Sequence, residues 1–410
     1  MFPNSPPWPK DQLIERRWAP EGGRSDGRAL RPYRYHAFLP LPIATKEYPL
    51  TAPLAQAVVE AERACLELNQ NPPMASNLEG LARHLLRAES VASSRIEGLI
   101  LSHRRLARAF LSEKHRDLNA QSVVANVLAT EKAVALATQN EDVSLETILT
   151  IHRTLLEGTR EERFAGIVRQ EQNWIGGRAD GPLGADFVPP PEDKLPEALK
   201  DLCVFMNRTD LPASLQAAVA HAQFETLHPF IDGNGRVGRA LIHLVLRRRR
   251  LAARYVPPVS LALAGRADRY VHGLTAYRLG HEESWFLLFC DALSSSAGRS
   301  RTFAEDILHL QQTWSEKAGH PRPHSAPKKL IDRLPAYPVI DIQTAQSVTG
   351  LEREACRLAV LRLEKANILR EITLSRRNRA WETVGLFDLL DRFERALGPH
   401  SRTPPPTRHE

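Results

Sequence analysis

Twelve consecutive residues, His228-Pro229-Phe230-Ile231-Asp232-Gly233-Asn234-Gly235-Arg236-Val237-Gly238-Arg239, bring together groups that could act on a polyphosphate. His228 is the group here whose ordinary pKa lies near neutrality, which makes it the candidate base. Asp232 offers a single carboxylate of the kind Mg²⁺ uses beside phosphate oxygens. A helix starting near Gly235 would aim its first-turn N–H groups and positive dipole end at the loop, forming a phosphate cradle. Arg236 and Arg239 lie three apart on that turn, so both guanidinium forks can reach one polyphosphate. Taken singly, each feature has a plainer reading: a helix-ending turn, an N-cap aspartate, an Asn-Gly turn, a solvated arginine pair. Their joint spacing favours the chemistry.

The elements around the motif must hold it. Residues 233–238 also spell GxGxxG, but a dinucleotide fold needs a preceding strand and an acidic residue ~20 positions later. Ala213–Leu227 instead has helical spacing, and the chain beyond reads Tyr255-Val256-Pro257-Pro258. A helix–loop–helix fits. Pro229 pushes His228 out of α geometry, Phe230 and Ile231 anchor the loop, and a second helix covers Gly235–Arg250. Helical spacing also predicts Leu54–Phe110, broken at Asn69–Pro73, then Val123–Ala137, Leu145–Leu156, Leu195–Met206, Arg269–Leu279 and Ser284–Gln312. Periodicity vanishes between Arg163 and Pro191. There Gln172–Gly177 and Phe187–Pro191 predict two extended stretches around a Gly/Asp-rich tip, a β-hairpin flap.

The twelve residues resemble the signature of the Fic (Fido) family, HPFx(D/E)GNGRxxR, at every defined position. The resemblance implies a mainly α Fic core and an enzyme that transfers AMP from ATP to a Tyr, Thr or Ser hydroxyl of a target protein. It implies that His228 deprotonates that hydroxyl and that Asp232 holds Mg²⁺. It also implies that Gly233, Asn234 and Gly235 cradle the phosphates, with Arg236 and Arg239 further along them. Pro229 and Phe230 belong to the same nucleotide-binding loop. Trp174, Ile175 and Gly176 are similar to the family's target-docking flap, and Tyr270 to a residue that closes over adenine; simple packing of Tyr270 is an equal reading.

Ser93-Ser94-Arg95-Ile96-Glu97-Gly98 ends a predicted helix, Leu81–Ile96. Ser93 and Glu97 are i,i+4 and should face one way, with Gly98 at the C′ position. Beside the signature, this stretch resembles the family's inhibitory motif, (S/T)xxxE(G/N). The resemblance implies that Glu97 pairs with Arg239 and keeps it from the ATP γ-phosphate.

The remaining chain sets limits. A net charge of +7 with 42% hydrophobic residues suits a soluble protein with acidic partners such as ATP or nucleic acid. Four cysteines without CxxC spacing argue against a disulfide framework or zinc cluster and point to the cytoplasm. No signal pattern or membrane-length apolar run is read, so no membrane partner is expected. Residues 1–35 read as an irregular arm, 36–115 as a helical region with the inhibitory motif, 116–315 as the catalytic core and 316–329 as a linker. Residues 330–392 read as a winged helix-turn-helix: a helix capped by Thr344, a longer helix Glu352–Ala366, and strands Ile368–Leu374 and Arg379–Thr383 around an arginine-bearing wing. DNA through 330–392 and a homodimer are the further partners these readings allow. Residues 393–410 read as a disordered tail. A DNA-binding regulator whose core senses nucleotide, or transfer or removal of another phosphate-containing group, are the alternative functions.

Overall fold

Helical periodicity dictates most of what folds. The computed structural model describes residues 8–19, 24–25, 28–29, 32–70, 78–111, 117–139, 142–178, 180–375 and 378–397. First come β1 (Leu13–Trp18), β2 (Arg24–Ser25), β3 (Arg28–Ala29) and β4 (Tyr33–Phe38). The helices α1 (Ala52–Gln70), α2 (Leu78–Ile96), α3 (His103–Ala109), α4 (Leu118–Leu136) and α5 (Leu145–Leu156) follow. Next are α6 (Leu195–Met206), α7 (Ala213–Leu227), α8 (Asn234–Arg248), α9 (Val259–Ala264), α10 (Ala267–Arg278) and α11 (Glu282–Lys317). The chain closes with α12 (Ala326–Arg333), β5 (Val339–Ile340), α13 (Ile342–Thr349), α14 (Arg353–Lys365), β6 (Leu369–Ser375), β7 (Asn378–Thr383) and α15 (Leu386–Leu397). The mainly α fold class predicted from sequence is the one observed.

The described residues divide into two units. The first draws on Met1–Glu60, Leu128–Leu251 and Arg269–Cys290, the second on Ala61–Val127, Ala252–Asp268 and Asp291–Glu410. The first is centred on α7, every residue of which is buried. A helix rich in alanine can be surrounded because small side chains let neighbours approach its backbone. Helix α8 comes closest: a Cβ on Gly238 would sit 2.6 Å from Glu225 Oε1 and 3.0 Å from the Phe224 ring.

The arm is not irregular throughout. Strand β1 pairs antiparallel with β4, from Leu13 opposite Phe38 to Trp18 opposite Tyr33, and β2 pairs with β3. The apolar alternation that would reveal β1 is broken at Arg16, which joins Ile14 and Trp18 among its less exposed positions. Arg16 lies there because it pairs with Glu192 at 2.7 Å and Asp193 at 3.1 Å.

In the second unit, α2 packs on α9, with the buried Glu89 carboxylate accepting the Ser260 N–H at 2.8 Å. Val91, Leu101, Leu106, Ala109, Ala120, Val123 and Val127 form a core around the segment joining α2 to α3. The sheet is antiparallel in the order β5-β7-β6. The cap of α13 is Asp341, whose carboxylate accepts the Thr344 N–H at 2.7 Å, so Thr344 sits one turn inside the helix expected to start with it. Helix α15 runs to Leu397, so residues 393–397 are helical where a tail was expected. Arg376 and Arg377 of the expected wing, residues 71–73 of the expected helix break and tail residues 398–410 lie outside the described residues.

Replacing Gly238 by Ala should force α7 and α8 apart or displace the Phe224 ring. A loss of about 1–3 kcal/mol is expected, read from the midpoint of urea unfolding; an unchanged midpoint would show that the helices tolerate the methyl group.

Candidate active site

Helix α7 ends where the main chain of His228 turns left-handed, φ 46° and ψ 57°, while its N–H still closes the helix on Phe224 O at 3.0 Å. A residue before proline avoids α geometry, usually by extending; here it turns left-handed instead. That conformation costs a non-glycine residue about 1–2 kcal/mol. Neighbouring donors offset the cost. Arg169 Nε donates to His228 O at 3.0 Å and Asn173 Nδ2 to the same oxygen at 3.1 Å.

Arg169 reaches further. Its main-chain N–H donates to Pro229 O at 2.9 Å, its Nη1 to Glu171 O at 2.8 Å and its Nη2 to Pro190 O at 2.5 Å. It is 3% exposed, and burial lowers its pKa to about 10 against the opposing charges of Glu192 and Tyr35. One guanidinium thus ties the His228 loop to both legs of the flap segment.

The loop itself is stapled by Asn234. Its Oδ1 accepts the Phe230 N–H and its Nδ2 donates to Phe230 O, both at 2.8 Å. This side chain therefore fixes the loop, leaving any phosphate contact at Asn234 to the main chain. Phe230 is fully buried and stacks on His152 at 3.6 Å. His152 Nε2 donates to Asp232 O at 3.1 Å while its Nδ1 accepts the Gly166 N–H at 3.1 Å, which defines the neutral Nε2–H tautomer. Burial, the largest cause, lowers the His152 pKa to about 4 although the Asp232 carbonyl and carboxylate pull the other way. Gly233 has φ +82°, and a Cβ there would come within 2.9 Å of Leu155.

Helix α8 starts at Asn234 after Gly233, so its first-turn N–H groups lie at the loop. Arg236 Nη2 pairs with Asp232 Oδ2 at 2.8 Å; the Arg236 side chain is 6% exposed and that of Asp232 43%. Arg239, three residues on, is 1% exposed. The sequence-predicted base, carboxylate and arginines thus share one loop and one helical turn.

The flap is held by isolated antiparallel bridges, Ile175 with Phe187 and Arg178 with Gly181, instead of the full hairpin strands expected. Gly176 and Gly177 both have φ near +70° (+72° and +70°), which glycine adopts without strain. The arm supports it. Trp18 meets Trp174 edge-on at 5.2 Å and donates Nε1–H to Asp180 O at 3.1 Å. Tyr33 Oη accepts the Leu183 N–H at 3.2 Å, and Phe38 N–H donates to Val188 O at 2.9 Å. Arg278 lies over the Phe187 ring at 3.9 Å.

Tyr270 takes the packing role. It is 4% exposed, its hydroxyl is 2.8 Å from His221 Nε2, and its ring lies 5.9 Å from that of Trp285. As placed, it offers no open face to a base.

The expected inhibitory residues belong to the second unit. There α2 ends at Ile96, with Leu99 N–H donating to Ser94 O and Gly98 N–H to Arg95 O, and Gly98 at φ +80°. This is a Schellman ending with Gly98 at C′, as anticipated. Glu97 is the C-cap and is exposed, and Ser93, one turn earlier, is buried. Asn126 holds the turn by donating to Ser90 O at 2.9 Å and Ser94 Oγ at 3.0 Å.

Residues 142–246 match the Fic/DOC family and residues 55–135 the Fic/DOC family N-terminal region. Residues 142–246 are thus similar to a Fic/DOC domain. Protein adenylyltransferase fic-1 of Caenorhabditis elegans is 31% identical over 138 residues, 33% of this chain and 24% of that protein. A probable protein adenylyltransferase of Aquifex aeolicus (strain VF5) is 30% identical over 176 residues, 41% of this chain and 50% of that protein. The chain thus spans from 24% to 50% of the length of these curated relatives. Among solved structures, a Fic family protein from Desulfovibrio desulfuricans G20 has a TM-score of 0.50 at 20% identity, covering 82% of this chain and 98% of that one. Fic-1 residues 134–508 from C. elegans has a TM-score of 0.52 at 24% identity, covering 62% and 74%. At such identities the likeness concerns the fold.

Sequence reasoning missed His152, Arg169 and Asn173, whose partners are main-chain atoms, and Trp18 and Tyr33 of the arm. Arg169→Met should take the guanidinium donor from the Pro190 carbonyl and leave the His228 carbonyl to Asn173 alone, lowering stability by about 2–3 kcal/mol, measured by chemical denaturation. Stability equal to the parent protein would mean that water or another side chain replaces the guanidinium.

Proposed function

We propose that this chain is a protein adenylyltransferase, moving AMP from ATP onto a Tyr, Thr or Ser hydroxyl of a target protein and restrained by Glu97. The observation that carries the reading is the fixed His228 at the end of α7, one loop away from Asp232, the first turn of α8, Arg236 and Arg239. The relatives named as protein adenylyltransferases support the same reaction.

In this reading His228 takes the proton of the target hydroxyl as its oxygen attacks the α-phosphorus of ATP. The new O–P bond forms as the bond to the β-phosphate oxygen breaks, and pyrophosphate leaves. The N–H groups at the start of α8 and the Arg236 and Arg239 guanidinium groups bind the phosphates. The flap segment at Trp174, Ile175 and Gly176 holds the target in extended form through main-chain hydrogen bonds, which read little of its side chains.

Asp232 fits Mg²⁺ in one respect: its carboxylate is part-exposed at the loop. Among the described residues no group of three or more His, Cys, Asp or Glu could hold a metal. Asp232 would therefore be the protein ligand, with phosphate oxygens completing the shell. The ion supplies charge neutralisation on the phosphates when bound.

Restraint by Glu97 is a competition between carboxylate and phosphate for the Arg239 fork. If the restrained state is favoured by about 2–3 kcal/mol, on the order of one to a few per cent of molecules are active. A second reading, DNA contact by residues 330–392, draws support from the succession α13, α14, β6, β7. The exposed Leu358 and Leu361 on α14 favour a protein contact there instead. No helix among the described residues is long and apolar enough to cross a membrane.

With ATP labelled in turn at the α and γ positions, label should enter protein from the α position alone; entry from the γ position would indicate phosphate transfer. His228→Ala should abolish labelling while nucleotide binding, followed by calorimetry, persists. Transfer that survives the substitution removes His228 as the base. Glu97→Gly should raise transfer roughly ten-fold or more, with added AMP visible by mass spectrometry, and a rate equal to the parent's would end the claim of restraint.

A further inference from the structure

The segment carrying Glu97 has an anchor far along the chain. Helix α15 buries Leu386, Phe387, Leu389, Leu390 and Phe393, and Phe393 stacks on Phe303 of α11 at 4.6 Å. The next residue, Glu394, is therefore fixed in position, and its side chain is only 15% exposed. Its Oε2 accepts from Arg95 Nη2 at 3.0 Å, and its Oε1 lies 2.8 Å from His103 Nε2. Arg95 is two residues before Glu97, in the last turn of α2, and His103 is the first residue of α3. A single carboxylate thus clips together the two ends of the segment that displays Glu97. Burial alone would raise the Glu394 carboxyl, but His103 and Arg95 outweigh it and hold the group well below the usual carboxylate range.

A second carboxylate from the same end of the chain acts on the same elbow. Glu382 of β7, 2% exposed, pairs with Arg104 at 3.2 Å and lies 3.6 Å from Arg108, both on α3. Arg104 also covers the Phe387 ring at 4.8 Å. Glu382 also pairs with Arg370 of β6, and buried carboxylates that lose a cationic partner are destabilised, so movement of residues 378–397 away from this elbow costs both carboxylates part of their charge pairing.

We infer that Glu394 is a positioning residue for the Glu97 segment, so that whatever displaces the C-terminal strands and α15 also alters the restraint on AMP transfer. The inference rests on the reading of Glu97 as the restraining group. It gives residues 330–397 an input role: a partner engaging them changes the output of an active site whose residues lie elsewhere in the chain. Neither Glu394 nor Arg95 is placed in the phosphate-binding or base machinery.

The test is a set of crossed substitutions in the full-length protein, read as initial rates of α-labelled AMP transfer alongside thermal unfolding. Glu394→Gln keeps the shape and removes the charge; Arg95→Met removes the donor on the other side. Each should raise transfer about five-fold or more in the parent background and leave it unchanged in a Glu97→Gly background, with the KM for ATP following the Glu97→Gly change. A rise in Glu97→Gly without a rise in either clip variant overturns the inference and leaves the restraint reading standing. No rise in Glu97→Gly itself removes the restraint reading. Equal rises in both backgrounds show that the clip acts elsewhere, which also overturns the inference. Should Glu394→Gln fail to fold, the Arg95→Met pair decides alone.

Discussion

A guanidinium buried among main-chain carbonyls must lose most of its water, and Arg169 accepts that loss in the first unit. Its hydrogen bonds run to carbonyls of His228, Glu171 and Pro190, with Glu192 contributing only at longer range. The arrangement has a geometric purpose. Helix α7 must stop, reverse through a left-handed residue and yield to α8 within six residues, so the carbonyl of His228 cannot serve the helix ladder and needs outside donors. Arg169 and Asn173 supply them, and because both belong to the segment leading into the flap, the loop and the flap share their fixings.

The loop shows a division of labour within one short motif. Asn234 and Phe230 fix shape, His152 and Gly233 fill and orient the underside, and Gly238 lets α8 settle on α7. These roles leave Asp232 and Arg236 as the pair that remains at the mouth, one part-exposed and the other buried. A short spacing of residue types is thus partly chemistry and partly carpentry. The distinction between them is visible only once the hydrogen-bond partners are known.

The legibility of the chain follows the range of the forces involved. Helices α6 and α7 lie where apolar spacing placed them, residue for residue, because an amphipathic or all-apolar period of 3.6 is a local property. The grouping of His228 with Asp232, Arg236 and Arg239 was equally local, spanning three turns of chain. Strand β1 was hidden because Arg16 replaces an apolar residue in its pattern, and the reason, Glu192, is 176 residues away. His152 and Arg169 were hidden for a related reason: no residue type announces that a main-chain carbonyl elsewhere will need a donor. Tyr270 had two equal readings from its spacing, and the structure packs it between His221 and Trp285.

The arm beneath the flap has a consequence for the order in which this unit assembles. Its contacts with the flap join Arg16 to Glu192, Trp18 to Asp180 and Tyr33 to Leu183 across 176, 162 and 150 residues of chain. Closing loops of that length is slow compared with pairing α7 and α8, which are neighbours in sequence. The phosphate-loop hairpin therefore forms early, as a local event, whereas the flap finds its seat only when the N-terminal arm arrives. During synthesis the arm emerges first and waits for its partner. On refolding of the whole chain, the α7–α8 pair therefore forms before the flap is seated on the arm.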